Sequence, residues 1–239
     1  MKKILLVSDI HGNFPALRAV TEHLGADRYD LIVNSGDSTV YAPFPNQVLD
    51  WLQRHNVISI AGNTDRKVKK LLRGKNFKKP SKQEKRVMYT TTASTLTKDN
   101  SAWLQQLKKK KYLDIEGKKI GIFHGSPAHA DEFLFPDTPE SRFAELGKAC
   151  PADIVIIGHS HTPFYKSING TLFINPGSVG RMFDGDPRTS CAELIIEPDK
   201  IAVLHHRIPY PVGEVVRELE LQGLPDIYST MYRLGKKLN

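Results

Sequence analysis

Five short apolar runs occur in the first two-thirds of the chain. Each is mostly aliphatic or β-branched and is closed by Gly, Asp, Asn or His, and the runs cover residues 4–7, 31–33, 57–60, 120–123 and 154–157. Runs of this length and composition are typical of buried strands. We therefore predict five central strands at these positions.

Between the first three runs the apolar spacing becomes that of a helix. In residues 14–24 the apolar positions recur at 14, 17, 20 and 24, and Pro15 fits a first helical turn. Residues 46–55 carry Val48, Leu49 and Leu52 at similar spacing. The alternation predicts a βαβαβ unit with parallel strands and right-handed crossovers.

The later part of the chain is richer in hairpin signals. Asn169-Gly170 separates two apolar runs at 164–168 and 171–174, and a Pro-Asp-Lys turn separates 192–196 from 201–207. Helices are predicted after Asn63 and over residues 97–107, 212–221 and 226–234. Parallel strands first and antiparallel strands later predict an α/β fold of two sheets packed face to face, with helices outside.

Composition is that of an ordinary globular protein, and 239 residues favour a single domain. No apolar run approaches the roughly 20 residues of a membrane span. The first run has four residues, too few for a signal-peptide core. Cys150 and Cys191 lie far apart and suggest buried, reduced thiols. We expect a cytoplasmic protein without membrane attachment, and no sequence feature selects an oligomeric state.

Positive charge is concentrated in one segment. The net charge is +8, whereas residues 66–86 alone hold eleven Lys or Arg and one acid, Glu84, for a local charge of +10. We predict a short helix there that ends at Gly74, followed by a mobile surface loop within a basic insertion. The segment is either a solvated loop or a positive rim that attracts polyanions, with weak, salt-dependent nucleic-acid contact through phosphates.

Each predicted strand is followed directly by side chains that can hold a metal ion. The segments are Asp9-x-His11, Gly36-Asp37, Gly62-Asn63-x-Asp65, His124-Gly125 and Gly158-His159-x-His161. Ligands of open α/β sheets gather outside the carboxyl ends of the strands. Taken singly, such residues are commonly turns or helix caps. All five occur in order after strand-like runs, which favours one shared metal site.

The order of these motifs resembles that of the calcineurin-like metallophosphoesterases, over about residues 2–179. Residues 124–127, 135–139 and 175–180 further resemble the small prokaryotic YfcE-like branch. The resemblance implies a four-layer α/β/β/α sandwich with two mixed sheets flanked by helices, in agreement with the strand pattern.

The resemblance also implies two divalent metal ions with a shared ligand. One ion would be held by Asp9, His11, Asp37 and His161, and the other by Asp37, Asn63, His124 and His159. Asp37, Asn63 and His124 are accordingly predicted as catalytic residues. Imidazole and carboxylate ligands without thiolate favour Mn, Fe, Co, Ni or Zn, with Mn the first choice. A bridging hydroxide would attack phosphorus in line.

The chain departs from the protein phosphatase branch at two motifs. That branch has a proton-donating His where this sequence has Thr64, and it has an Arg that is missing after Asp37. The G-N-x-D pattern resembles the branch linked to phosphodiesterase activity. His129 is an alternative proton donor, although a surface position suits it better.

Three further residues are candidates for substrate binding. Asp65 could contact substrate, support a metal ligand or cap the following helix. Asn13 could contact substrate or form a turn, and Arg181 could clamp a phosphate or remain solvated.

The sequence thus predicts a hydrolase of phosphodiesters, acting on small phosphoester or nucleotide-type substrates. A phosphomonoesterase or a dinucleoside polyphosphate hydrolase is the alternative within enzymes. The alternative outside enzymes is an interaction module on the same fold, which the complete set of seven ligands disfavours.

Overall fold

The computed structural model describes all 239 residues. It contains ten strands and eight α-helices. The strands are β1 (Lys2–Val7), β2 (Leu31–Asn34), β3 (Ile58–Ser59), β4 (Lys110–Ile115), β5 (Lys118–Phe123), β6 (Ile154–Ile156), β7 (Phe164–Ile168), β8 (Thr171–Asn175), β9 (Thr189–Ile196) and β10 (Ile201–Ile208). The helices are α1 (Phe14–Leu24), α2 (Pro45–Arg54), α3 (Asn63–Leu72), α4 (Gln83–Thr95), α5 (Lys98–Gln106), α6 (Glu140–Ala149), α7 (Val212–Leu221) and α8 (Asp226–Leu234).

The strands form two mixed five-stranded sheets. The first sheet has the order β10-β9-β1-β2-β3 and the second the order β4-β5-β6-β8-β7. In the first sheet β1 pairs parallel with β2 and antiparallel with β9, and β2 pairs parallel with β3. In the second sheet β5, β6 and β8 are parallel, while β4 and β7 are antiparallel edge strands. The expected change from parallel to antiparallel pairing therefore occurs within each sheet.

Side-chain alternation along β1 shows how the layers are packed. Ile4 and Leu6 belong to the apolar cluster between the two sheets, whereas Leu5 and Val7 belong to the cluster under the helices. Successive side chains of a strand point to opposite faces, so a strand buried on both faces needs a continuous apolar run. Phe143 and Leu146 of α6 cover the outer face of the second sheet. These clusters define four layers, two sheets inside and helices outside, as the sequence predicted.

Three elements escaped the sequence analysis: β4, α4 and α6. β4 exposes most of its residues and begins in a lysine run, so it lacks the apolar signal of the inner strands. α4 has charged residues in its first turn and a Thr-rich second half, and it buries only Met88, Tyr89 and Thr92. The predicted strands were otherwise found, with β3 shortened to two residues.

The expectation of a mobile loop across the basic segment was wrong in part. Residues 83–86 form the first turn of α4, and Phe77 is buried against Tyr89, with ring centroids 5.1 Å apart. Arg86 donates hydrogen bonds to the carbonyls of Phe77 and Pro80. Apolar anchoring and backbone capping therefore hold the connection in place. None of the helices combines the length and apolar character needed to cross a bilayer.

Candidate metal centre and active site

The seven predicted ligands follow the carboxyl ends of strands in both sheets. Asp9 and His11 follow β1, Asp37 follows β2, and Asn63 opens α3 after β3. His124 follows β5 directly, and His159 and His161 follow β6. Because the two sheets are packed face to face, these loops meet at one edge of the sandwich.

An unusual backbone conformation distinguishes five of these residues. Asp9, His11, Asp37, His159 and His161 have φ angles of 51°, 52°, 54°, 67° and 58°. The left-handed region is uncommon for residues other than glycine and costs conformational free energy. Five such residues in three loops indicate that the surrounding structure holds these side chains in an imposed arrangement.

Two glycines allow the loops to approach one another closely. A Cβ atom on Gly62 would lie 2.1 Å from Asp37 Oδ1, and one on Gly158 would lie 2.1 Å from Ser8 Oγ and 2.7 Å from Asp9 Oδ2. Any other residue would push the carboxylates away. The glycines beside the predicted ligands therefore set the spacing between loops.

The ligand atoms fall into two groups. In each group they lie within 4.8 Å of one another: Asp9, His11 and His161 form the first, and Asp37, His124 and His159 the second. In the first group the Nε2 atoms of His11 and His161 are 3.2 Å apart, and His161 Nε2 is 3.2 Å from Asp9 Oδ1. Either group could hold a metal ion.

Asp37 lies between the two groups. Its Oδ2 is 3.5 Å from His124 Nε2 and 3.9 Å from His11 Nε2, while its Oδ1 accepts a hydrogen bond from the Thr64 amide at 2.8 Å. Asn63 joins the second group, where its side-chain amide lies 2.9 Å from His124 Nε2. One Asp37 oxygen is thus fixed by the backbone, and the other faces both groups.

Backbone carbonyls orient three of the histidines. His124 Nδ1 donates to the Ser35 carbonyl at 3.0 Å, His11 Nδ1 lies 3.4 Å from the Thr39 carbonyl, and His161 Nδ1 donates to the Arg181 carbonyl. A carbonyl can only accept, so Nδ1 carries a hydrogen and Nε2 is the ring atom that faces the cluster. This is the usual arrangement behind metal-binding histidines.

Burial and charge set the protonation of the cluster. Burial lowers the pKa of His11 to about 3 and that of His159 to about 4, so both rings are neutral at pH 7. Burial also opposes a charge on His124, but the neighbouring Asp37 carboxylate raises its pKa to about 9. Burial likewise disfavours ionisation of Asp9, yet His161 and His124 hold its pKa below the usual range. In this arrangement a proton on His124 partly compensates the carboxylates, a role that a divalent cation would take.

One buried oxygen tests whether the site fits a metal ion. Asp9 Oδ2 accepts hydrogen bonds from Ser8 Oγ at 2.6 Å and from the His159 amide at 3.0 Å, whereas Asp9 Oδ1 is buried without any hydrogen-bond partner. An unpaired buried carboxylate oxygen is costly unless a cation meets it. Asp9 Oδ1 faces His161 Nε2, so the donors of the first group fit a metal ion between them.

A cavity of about 460 Å³ opens beside the two groups, and aromatic rings line it. Phe133 stacks on His159 with ring centroids 4.0 Å apart, and Phe183 stacks on His161 at 4.3 Å. The cavity is also lined by Tyr41, Lys85 and Lys237. The sequence analysis did not name Tyr41, Phe133, Phe183 or Lys237, whereas Lys85 belongs to the 66–86 segment for which a positive rim was one of two alternatives. The only available signal was an aromatic pair, Phe133-x-Phe135, at the edge of a segment with family resemblance.

The three predicted substrate contacts have different positions. Arg181 lines the cavity, with its guanidinium carbon 3.9 Å from the Tyr41 ring centroid. Asn13 is fully buried, where it accepts from the Ala16 amide and donates to the Gly180 carbonyl. Its prediction as a substrate contact is corrected to a helix N-cap, because both amide atoms are used within the chain.

Asp65 is also fully buried, so its prediction as a substrate contact is corrected. Its carboxylate accepts hydrogen bonds from the amides of Ser38, Thr39 and Gly62 and from the Thr39 hydroxyl. Burial and the Asp37 charge raise its pKa to about 6, against the effect of these donors. Asp65 thus ties the loop of Asp37 to the start of α3, which combines the supporting and capping roles.

Histidines outside the cluster do not reach the cavity. His129 is exposed and does not line it. His205 lies on β10, where its Nε2 is 2.8 Å from the Asn175 carbonyl oxygen. Both free cysteines are buried, as expected.

The fold and the paired His and Asp groups define a class of protein, and sequence comparison identifies the family. The family model of the calcineurin-like phosphoesterase superfamily domain matches residues 1–199, and the chain belongs to that superfamily. A Methanocaldococcus jannaschii protein is 28% identical over 250 residues, which cover 98% of both chains. Phosphodiesterase YfcE of Escherichia coli is 26% identical over 78% of this chain and 84% of its own length. A metallophosphoesterase structure from Sphaerobacter thermophilus superimposes with a TM-score of 0.82 at 27% identity and covers 98% of this chain and 99% of that one.

Proposed function

We propose that this protein hydrolyses phosphodiesters with the help of two divalent metal ions. The observation that carries the proposal is the convergence of six His and Asp donors in two groups, with the Asn63 amide beside the second group and Asp9 Oδ1 buried without a hydrogen-bond partner. Membership of the superfamily and the similarity to a phosphodiesterase support the same reaction class.

The donor set selects the kind of metal. Asp9, His11, Asp37 and His161 would hold one ion, and Asp37, Asn63, His124 and His159 the other. Nitrogen and oxygen donors without thiolate suit Mn, Fe, Co, Ni or Zn, and Mn is the first cation to test. When bound, two such ions supply an activated water at neutral pH and neutralise charge on the phosphoryl group.

The chain's own residues prepare the site. The carbonyls of Ser35, Thr39 and Arg181 keep the Nε2 atoms of three histidines directed into the cluster. Asp65 keeps the Asp37 loop in position. The Thr64 hydroxyl donates to the Thr39 carbonyl at 3.2 Å, so its proton is already engaged and it is poorly placed to protonate a leaving group.

The walls of the cavity favour diesters over monoesters. Phe133 lies beside a histidine of one group and Phe183 beside a histidine of the other. A phosphodiester carries an organic group on each side of phosphorus, and aromatic rings on both sides can contact such groups. A monoester would leave one of these surfaces unused.

The proposal is tested by a substrate screen on protein reconstituted with Mn²⁺. Bis(p-nitrophenyl) phosphate should be hydrolysed with a higher kcat/KM than p-nitrophenyl phosphate, and chelation should abolish both activities. Faster hydrolysis of the monoester, or of a dinucleoside polyphosphate, would replace the proposed reaction with the corresponding alternative. No turnover at full metal occupancy would favour an interaction module.

A further inference from the structure

Three cationic side chains line the cavity without forming ion pairs. Lys85 comes from α4, Arg181 from the loop after β8, and Lys237 from the segment after α8. None of the three forms a salt bridge with a carboxylate. Asp184, which is the acidic residue of the cavity wall outside the metal groups, is paired with Arg207 at 2.5 Å. Unpaired cations in one wall indicate a place for an anion.

Arg181 is the most constrained of the three. It is 7% exposed, its guanidinium lies over the rings of Tyr41, Phe183 and Tyr228, and its sole side-chain hydrogen bond is to Met231 Sδ at 3.7 Å. An arginine that is more than nine-tenths buried is rarely without a carboxylate partner, because burial removes water without supplying a counter-charge. Packing therefore fixes a cation that needs an anionic partner.

The three charges lie close enough to repel one another. Burial lowers the pKa of Lys85, and the charges of Lys237 and Arg181 lower it further. Lys237 Nζ is 5.8 Å from the centroid of Phe183, the ring against which Arg181 also packs, at 5.3 Å. An anion between these groups would relieve the repulsion.

An aromatic ring separates these cations from the metal ligands. The Tyr41 ring contacts both His11, at 5.2 Å between centroids, and Arg181, at 3.9 Å. The Phe183 ring contacts both His161, at 4.3 Å, and Lys237, at 5.8 Å. A phosphate held at the metal groups would thus be separated from these cations by about the width of one aromatic ring. The cations are therefore placed to bind a different group of the substrate.

Part of the surroundings of these cations lies outside the matched family domain. The family model ends at residue 199, whereas Lys237, Tyr228 and Met231 belong to α8 and the segment after it. The backbone of this segment is joined to the loop of Arg181, since the Gly185 amide donates to the Gly235 carbonyl at 2.9 Å. The chain after β9 therefore adds Lys237 to the cavity wall and packs Tyr228 and Met231 against Arg181.

We propose that Lys85, Arg181 and Lys237 form a subsite for a second phosphate, so that the preferred substrates carry another phosphate across one nucleoside from the scissile one. The proposal rests on the proposed function for the identity of the scissile bond. It narrows the substrate class to phosphodiesters of nucleotide type with a further phosphate about one nucleoside away.

The test compares two probes that differ by one phosphate. The 5′-p-nitrophenyl ester of thymidine 5′-phosphate is assayed with and without a 3′-phosphate, at the same salt concentration and with Mn²⁺. We expect the 3′-phosphorylated ester to have a kcat/KM at least about tenfold higher, the effect of one or two charge-assisted hydrogen bonds. The Lys85→Ser/Lys237→Ser variant should reduce this ratio to about twofold or less, whereas Arg181 is retained because its packing supports the fold.

The matched control is Lys82→Ser/Lys236→Ser. It removes the same charge from the same two segments, at exposed residues that do not line this cavity. The control should keep the tenfold ratio. A ratio near one in the unmodified protein, or an equal fall in both variants, would overturn the subsite.

A binding measurement separates this proposal from the reaction itself. Calorimetric titration with thymidine 3′,5′-bisphosphate and with thymidine 5′-phosphate should show the same preference, and the same loss of it in Lys85→Ser/Lys237→Ser. Equal affinities would overturn the subsite even if both esters are hydrolysed. Failure to hydrolyse either ester would refute the proposed reaction, and the titration would still decide the subsite.

Discussion

The Nε2 atoms of His11 and His161 lie 3.2 Å apart, and each ring is oriented through its Nδ1 atom by a backbone carbonyl. Two Nε2 atoms that face each other at this distance repel unless a proton or a metal ion lies between them. Since burial lowers the pKa of His11 to about 3, that ring does not take up a second proton at pH 7. The arrangement is therefore prepared for a metal ion.

Metal content should respond differently to changes at Asp37 and at His161. Asp37→Asn should weaken both metal groups and reduce kcat by at least about 100-fold, since even indirect partners of a metal site cost up to that much. His161→Ala should mainly remove metal from the first group. Metal analysis by mass spectrometry checks both outcomes, with His129→Ala as an exposed histidine control. Full metal content and near-full activity in Asp37→Asn would refute its position between the groups.

The reaction rate should depend steeply on the leaving group. Thr64 stands where a related branch has a proton donor, and general acid catalysis is typically worth about 10²–10⁴-fold. Aryl diesters with acidic leaving groups should therefore be the fastest substrates, as measured by kcat/KM across a series of substituted phenols. A flat dependence with rate-limiting chemistry would show that another acid acts, and His129→Ala would then be the next variant to measure.

Replacement of Asp65 should affect stability and metal binding together. Asp65→Ala leaves the amides of Ser38, Thr39 and Gly62 without an acceptor, and each buried unpaired group costs about 1–3 kcal/mol. We expect a loss of at least about 3 kcal/mol in the free energy of unfolding and lower metal occupancy. Asp65→Asn, which keeps one oxygen, should be intermediate. Unchanged stability and metal content with a raised KM alone would instead support a substrate contact.

Phe133 should contribute to binding of aromatic substrate groups. It is 50% exposed at the cavity mouth and stacks on His159. Phe133→Ala should lower kcat/KM for aryl or nucleoside diesters by about 3–10-fold, since one aromatic pair is worth about 0.5–1.5 kcal/mol. Tyr165→Ala, an exposed aromatic residue on β7, is the matched control. Equal effects on an aryl diester and on a diester with small alkyl groups would argue against stacking.

Stability should vary with pH through Glu193 in a defined direction. Burial opposes ionisation of Glu193, but Lys3 Nζ at 2.7 Å lowers its pKa below the ordinary value. A depressed pKa in the folded state gives stability that is present at neutral pH and is lost as pH falls through the folded pKa. Glu193→Gln should therefore reduce the free energy of unfolding at pH 7 by up to about 1 kcal/mol, because the Lys3 side chain is partly exposed to solvent.

Urea unfolding at several pH values checks this prediction. The difference between Glu193→Gln and the unmodified protein should shrink at acid pH, where the unmodified Glu193 is itself protonated. Glu22→Gln removes an exposed carboxylate on α1 and should change stability by less than about 0.5 kcal/mol at any pH. A difference for Glu193→Gln that grows at low pH would contradict the assigned pKa direction.

The sequence alone determined the framework and the chemistry of the cluster. Local apolar runs predict strands because a strand buried on both faces needs continuous apolar side chains, and the residues directly after each run are then placed at one edge of the sheets. For this reason Asp9, Asp37 and His124 could be grouped before their distances were known. The exposed strand β4 and the polar helix α4 lack this signal, so they emerged only in the structure.

The tertiary structure alone decided what surrounds the cluster. Lys85 and Lys237 are 152 residues apart in sequence and meet at one cavity wall because α4 and the segment after α8 pack beside the same loop. Tertiary packing also determined that Asp65 and Asn13 are buried hydrogen-bond acceptors, whereas Arg181 faces the cavity. Side-chain burial depends on contacts between distant segments, and such contacts leave no local pattern in the sequence.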